Sequence, residues 1–260
     1  MAKDSKTFLA RARSWTKKQG LHGPGAFLRF VMMTFVERLN AASGDFVFKG
    51  GNLLWVYIKT PRSTVDLDFS TKQVASHEAV EDALKRVCLT EQDGVTFTLK
   101  AFVPVDRPDG KGAAVRIGYL TNEGQSNQFE VDIVYAIPAL TISIPSPISD
   151  GVEIVAVTVE NIIADKLSAG HRFKSGNTRM KDFDDLWRIS KAASTPISWR
   201  ALSEVLMERA IIPELDLAWI SVEMDRAWAA HLAANSGLPA SLRTVMNEVN
   251  QWLKGGLNAL

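Results

Sequence analysis

Apolar residues recur at helical spacing from Ser5 to Lys18, where Phe8, Leu9, Ala12 and Trp15 fall on one side. They do so again from Ala26 to Ala42, through Phe27, Phe30, Val31, Thr34, Phe35 and Leu39. Gly20 to Gly25 separates these two predicted helices. The period then changes. Phe46–Phe48 is a short apolar run closed by Gly50 and Gly51; a helix follows through Leu53, Leu54 and Tyr57, and Pro61 breaks it. Thr64–Ser70 alternates as a strand does, Val65 and Leu67 against Asp66 and Asp68. His77–Leu89 returns to helical spacing. Val95–Val105, Ala114–Leu120 and Gln128–Tyr135 read as strands, the first two joined by the turn-rich segment RPDGKG at Arg107–Gly112. Sequential strands with short turns, flanked by helices, predict an α+β domain with an antiparallel or mixed sheet.

From Ile137 to Val157 proline, serine and β-branched residues suggest a connector with one or two short edge strands. Beyond Thr158 the pattern is helical throughout. Thr158 can cap VENIIADKLSAGHRF, with Glu160 in its first turn. Further helices are expected at Arg179–Lys191, Ser198–Arg209, Leu215–Ala234 and Pro239–Lys254. The expected organisation is an α+β domain over residues 1–155, N-terminal helices included, and an all-helical domain over 156–260.

Composition alters this picture little. An apolar fraction of 46% and a charged fraction of 23% are those of an ordinary globular protein. A formal charge of +1 excludes a surface built wholly to trap polyanions, but not a local patch. Lys6, Arg11, Arg13, Lys17 and Lys18 on the first helix form either a solvated face or a rim for nucleic acid. The single cysteine, Cys88, excludes an internal disulfide and a cysteine-rich zinc site, and its helical spacing makes it a small core residue. No apolar stretch is long enough for a signal peptide or membrane span, so a cytoplasmic protein without a membrane partner is expected. His22, His77, His171 and His231 are scattered without metal spacing, and the seven tryptophans read as core.

The chemistry concentrates in two stretches. Residues two apart on a strand face the same way, so Asp66 and Asp68 project together. Close carboxylates repel, and a divalent cation relieves them; magnesium takes one or two carboxylates, water and phosphate oxygens. Gly50 and Gly51, just ahead of a helix, allow phosphates to approach backbone amides. A third acidic strand, Phe129–Val134, sets Glu130 and Asp132 on one face between apolar neighbours. Asp132 is preferred as third metal ligand, with Glu130 the alternative; both could instead be salt-bridge partners of Arg116.

The order Gly-Gly, then Asp-x-Asp between apolar residues, then a third acidic strand resembles the DNA polymerase β-like nucleotidyltransferases. More narrowly, FKGGNLLWVYIKTPRSTVDLDFS, with the later ENIIADKLSAG and RMKDFDDLW, is similar to the AbiEii-like nucleotidyltransferase toxins of type IV toxin–antitoxin systems. The likeness runs from about Phe46 to Trp187 and thins beyond residue 190; the interval from Gly51 to Asp66 is longer than the usual superfamily spacing. The resemblance implies that Asp66 and Asp68 hold two Mg2+ ions. It implies that Gly50 and Gly51 receive the nucleotide phosphates, with Lys49, Arg62 and Ser63 beside them. Lys166 would reach a phosphate, and Asp182 and Asp185, three apart on one helical face, would line the cleft. Without the resemblance, Lys166 reads as a snorkelling surface lysine and KDFDDLW as an acidic helix start.

The activity implied is transfer of a nucleoside monophosphate from an NTP to RNA, at the tRNA 3′ end, by two-metal displacement, with growth arrest as outcome and a separate cognate antitoxin as partner. Asp132 is placed to take the acceptor's proton. Two other readings stay open: the same fold acting on a small molecule or a protein hydroxyl, and a nucleotide-binding module without turnover.

Overall fold

A computed structural model describes residues 7–62, 64–73, 75–90, 93–107, 110–193 and 197–260. Ser5 and Lys6 of the first expected helix, Ser63, and Pro108 and Asp109 of the expected turn lie outside the described residues. The chain divides into two units, each described by itself. One runs to Leu53 and resumes after Arg62 as far as Val157; the other comprises Leu54–Arg62 and Thr158–Leu260.

The first unit is α1 (Phe8–Lys18), α2 (Pro24–Ala42), β1 (Phe46–Lys49), the start of α3 (Gly50–Ile58), β2 (Asp66–Thr71) and α4 (His77–Cys88), followed by five strands. These are β3 (Val95–Arg107), β4 (Gly110–Thr121), β5 (Ser126–Val134), β6 (Thr141–Pro145) and β7 (Glu153–Val157). They form one seven-stranded mixed sheet in the order β3-β4-β5-β2-β1-β7-β6. Pro104 and Pro145 sit in β3 and β6, the two edges, where a missing N–H breaks no ladder. The connector does form two strands, but only β6 is an edge. β7 lies inside the sheet, parallel to β1, because Ile154, Ala156 and Val157 are apolar and buried where an edge strand would expose some of them.

Alternation fixes the two faces of the sheet. Leu67 and Phe69 on β2 share a face with Phe129, Val131 and Ile133 on β5. Phe35 of α2 packs edge-on against Phe97 and Phe129, so this face is the helix-covered core. Asp66, Asp68, Glu130 and Asp132 therefore occupy the other face. Cys88 is half-buried, and burial pushes its thiol up to about 11, which leaves it an inert packing residue.

The second unit is helical: α5 (Val159–Phe173), α6 (Met180–Lys191), α7 (Trp199–Glu208), α8 (Val222–Ala234) and α9 (Leu242–Leu257), with the later turns of α3. Leu167, Phe183, Leu186, Leu202, Trp228 and Val249 are among its buried residues. Side chains of Thr158, Ser198 and Ser221 accept N–H bonds from Asn161, Ala201 and Met224, capping α5, α7 and α8. The expected helix Leu215–Ala234 is broken. Asp216 caps a short 3-10 turn at Leu217–Trp219, and Ser221 starts α8 anew; two capping residues inside one apolar pattern outweigh its continuity. No helix among the described residues is long and apolar enough to cross a membrane.

Candidate active site

On the face opposite the helices, strands β2 and β5 run parallel with Asp66 beside Glu130 and Asp68 beside Asp132. Neighbouring strands lie about 4.8 Å apart, so the four carboxylates form a small two-by-two array. On the far side of β2, Lys49 is the cross-strand partner of Asp68, which places a cation on the same face. β4 completes the surface: Ala114 stands beside Asp132 and Arg116 beside Glu130. Arg116 donates to the Glu130 carboxylate at 2.7 Å. The array is thus asymmetric: on β4 a guanidinium stands beside Glu130 and an alanine beside Asp132.

Strand β1 ends at Lys49, and the chain turns at once into α3. The turn needs glycine. Gly50 has φ of +78°, and a Cβ there would lie 1.9 Å from Asp68 Oδ2. The Asp68 carboxylate therefore lies directly over the first residue of α3, whose leading amides have no partner within the helix. Asn52, two residues on, is 1% exposed. Its Nδ2 donates to the Asp66 backbone carbonyl at 2.6 Å, and its Oδ1 accepts from Arg29 Nε at 3.2 Å. Sequence reasoning missed both residues. The available signal was an amide inside the apolar run of α3.

The residues present fit a divalent metal. The donors are all carboxylate oxygens, and three of them stand on two hydrogen-bonded strands of one face. Among the described residues no three His, Cys, Asp or Glu side chains converge as a ready-made cluster. Asp66, Asp68 and Asp132 stand on two neighbouring strands of the same face.

In the helical unit, Lys166 of α5 and Asp182 and Asp185 of α6 meet Arg62. The Lys166 ammonium donates to Asp185 at 2.6 Å and to Asp182 at 3.1 Å. Arg62 holds Asp185 through both arms of its guanidinium, at 3.0 and 3.1 Å. Arg179 closes the chain onto Asp182 at 2.9 Å. The Asp185 side chain is 1% exposed and that of Lys166 14%, so the lysine is a bridge, not a snorkelling surface group. Burial pushes the Lys166 amine down, but Asp185 and then Asp182 outweigh it and hold it above its ordinary value. Burial likewise pushes Asp182 up, and Lys166 with Arg179 brings it below the usual carboxylate range. A different face of α6 carries Asp184, fully buried and bonded to Arg188 and to His231 Nε2 at 2.8 Å.

Residues 35–248 match the family described as nucleotidyl transferase AbiEii toxin, type IV TA system. The chain belongs to that family. It is a nucleotidyltransferase, and AbiEii membership implies a nucleoside triphosphate co-substrate, a divalent metal and an antitoxin partner. The fold agrees. JHP933 from Helicobacter pylori superposes with a TM-score of 0.58 at 18% identity, covering 92% of this chain and 94% of that one. A nucleotidyltransferase candidate from H. pylori gives 0.55 at 18% identity, covering 92% and 97%. No curated protein sequence matches the chain. Within the AbiEii family region fall the residues of both units: the glycine turn, the carboxylate array and the Arg62–Lys166–Asp182–Asp185 network.

Proposed function

We propose that this chain transfers a nucleoside monophosphate from an NTP to the terminal hydroxyl of an RNA, the tRNA 3′ end, and that this loss of usable tRNA arrests growth. The observation that supports it most is the carboxylate array laid against Gly50, with Asp68 over the glycine and Asp132 beside it on β5. Asp66, Asp68 and Asp132 would hold Mg2+, two ions in all, which supplies positive charge to the attacking and leaving oxygens of an in-line displacement. Asp132 is preferred to Glu130 because Arg116 already occupies the glutamate.

The chain's own residues have distinct tasks. The acceptor oxygen forms a bond to the α-phosphorus, the bond from the α-phosphorus to the bridging oxygen breaks, and pyrophosphate leaves with that electron pair. Asp132 takes the hydroxyl proton. Gly50 and Gly51 present the leading amides of α3 to the phosphates, and Lys49 offsets their charge. Lys166 and Arg62 are the phosphate-binding cations assigned to the helical unit, with Asp182 and Asp185 fixing where their charges stand. Ser63 is assigned to the nucleotide on sequence alone.

The test is incubation with each α-labelled NTP, Mg2+ and total RNA, followed by a gel. Label on tRNA-sized RNA that disappears with Asp68→Ala is expected. Label on protein, on a small acceptor only, or nowhere would replace this reading with protein modification, small-molecule transfer or binding without turnover.

A further inference from the structure

The antiparallel ladder between β1 and β2 pairs Phe46 with Thr71, Val47 with Ser70, Phe48 with Phe69 and Lys49 with Asp68, and stops there. Continued by two residues, it would reach Gly51 and Asp66, but from Gly50 onward the chain is helix. Asp66, the first residue of β2, thus starts where β1 has already left the sheet. The Asn52 side-chain amide occupies this gap: Nδ2 bonds the Asp66 carbonyl as a ladder N–H from β1 would have done. A buried amide is costly unless both its ends are used, and Arg29 of α2, itself 7% exposed, uses the other end.

We infer that the Arg29–Asn52 pair is the positioning device of the metal site, setting Asp66 on β2 relative to the helix start that cradles Asp68. The inference rests on the metal-binding role proposed for these aspartates. Both ligands are then tied to α3 by independent means, Asp68 through its contact with Gly50 and Asp66 through Asn52. Losing the second tie frees the start of β2, and outer partners of this kind are worth about 10- to 100-fold in metal affinity.

The experiment uses the full chain as wild type, Asn52→Leu and Asp68→Ala. Leucine keeps the branched outline and heavy-atom count of asparagine at a somewhat larger volume, carries no charge and donates nothing. Mn2+ alone is the probe, its free concentration read by electron paramagnetic resonance, with thermal unfolding followed in parallel. Expected is a saturable site in the wild type that Asp68→Ala abolishes and that folded Asn52→Leu binds about 10- to 100-fold more weakly. In the transfer assay the Mg2+ needed for half-maximal rate rises, while acceptor KM is unchanged. An Asn52→Leu protein that melts earlier but binds Mn2+ like the wild type would reduce Asn52 to a packing residue and overturn the inference. Should Asn52→Leu not fold, Arg29→Lys, which keeps the charge but shortens the donor, must weaken Mn2+ binding or the inference fails. A wild type without Asp68-dependent Mn2+ binding overturns the metal role itself, an outcome separable from the others because the reference protein then shows no site.

Discussion

Gly50 and Asp68 meet where no side chain can enter. A methyl group at position 50 would lie 1.9 Å from the Asp68 carboxylate, on a backbone of positive φ that already disfavours alanine. Gly50→Ala should therefore displace the carboxylate or the helix start, and loss of one amide donor aimed at the phosphates lowers transfer about 100-fold or more. Unfolding curves beside the rate measurement will show whether the chain stays folded, and wild-type rates in a folded variant would contradict the geometry. A second comparison separates the two acids of β5. Asp132→Asn should cost about 1,000-fold or more in rate, whereas Glu130→Gln should stay within a few-fold, since its bond to Arg116 is an exposed ion pair. Equal losses would mean that both acids serve the metal. Part of this was legible beforehand, because alternation pairs Asp66 with Asp68 on one strand and Glu130 with Asp132 on another, while the parallel pairing that brings the two pairs onto one face is seen only in the fold. Asn52 was not, because its partners stand 14 and 23 residues away and only the fold brings them together.

At the scale of elements, α5 and α6 are joined by ions as well as by apolar packing. Asp185 accepts from Lys166 and Arg62 together while almost wholly buried. Asp185→Ala would leave two poorly hydrated cations facing each other, so a loss of about 3–5 kcal/mol is expected, measurable by urea unfolding. The pH dependence has a definite sign. Asp182 is depressed, so its contribution is present above its unfolded value of about 3.9 and is lost as pH falls through the lower folded value. Lys166 is raised, so its contribution is full below about 10.4 and is lost as pH climbs through the higher folded value. Between these limits the network adds a constant, so Asp182→Asn should lower Tm at neutral pH and flatten the acid limb of Tm against pH, while the neutral region stays level. A neutral transition that vanishes with this variant would refute the assignment. The helices themselves were readable from spacing and caps. The bridge was visible only as the three-residue interval of Asp182 and Asp185, and the break at Leu217–Trp219 was masked by apolar residues on both sides.

For the molecule as a whole, a formal charge of +1 constrains how an RNA acceptor can be held. Attraction must come from local clusters of cations, not from the mean surface, and the number engaged sets the salt dependence. Arg13, Lys17 and Lys18 are exposed on α1, while Phe8, Ala12 and Trp15 of the same helix are buried, so the helix presents its cations outward from a fixed seat. If RNA contacts these three and about one further cation, the slope of log affinity against log salt is about −3 for a single strand, at roughly 0.7 per phosphate. Between 50 and 200 mM salt this predicts a rise in acceptor KM of about 50-fold, with NTP KM much less affected. Replacing Arg13, Lys17 and Lys18 by glutamine should reduce the slope by about two units and leave Mn2+ binding unchanged. A small-molecule acceptor has few counterions to release and would give a nearly flat plot in both proteins. A steep slope untouched by the triple variant would keep RNA as acceptor but move its contacts away from α1.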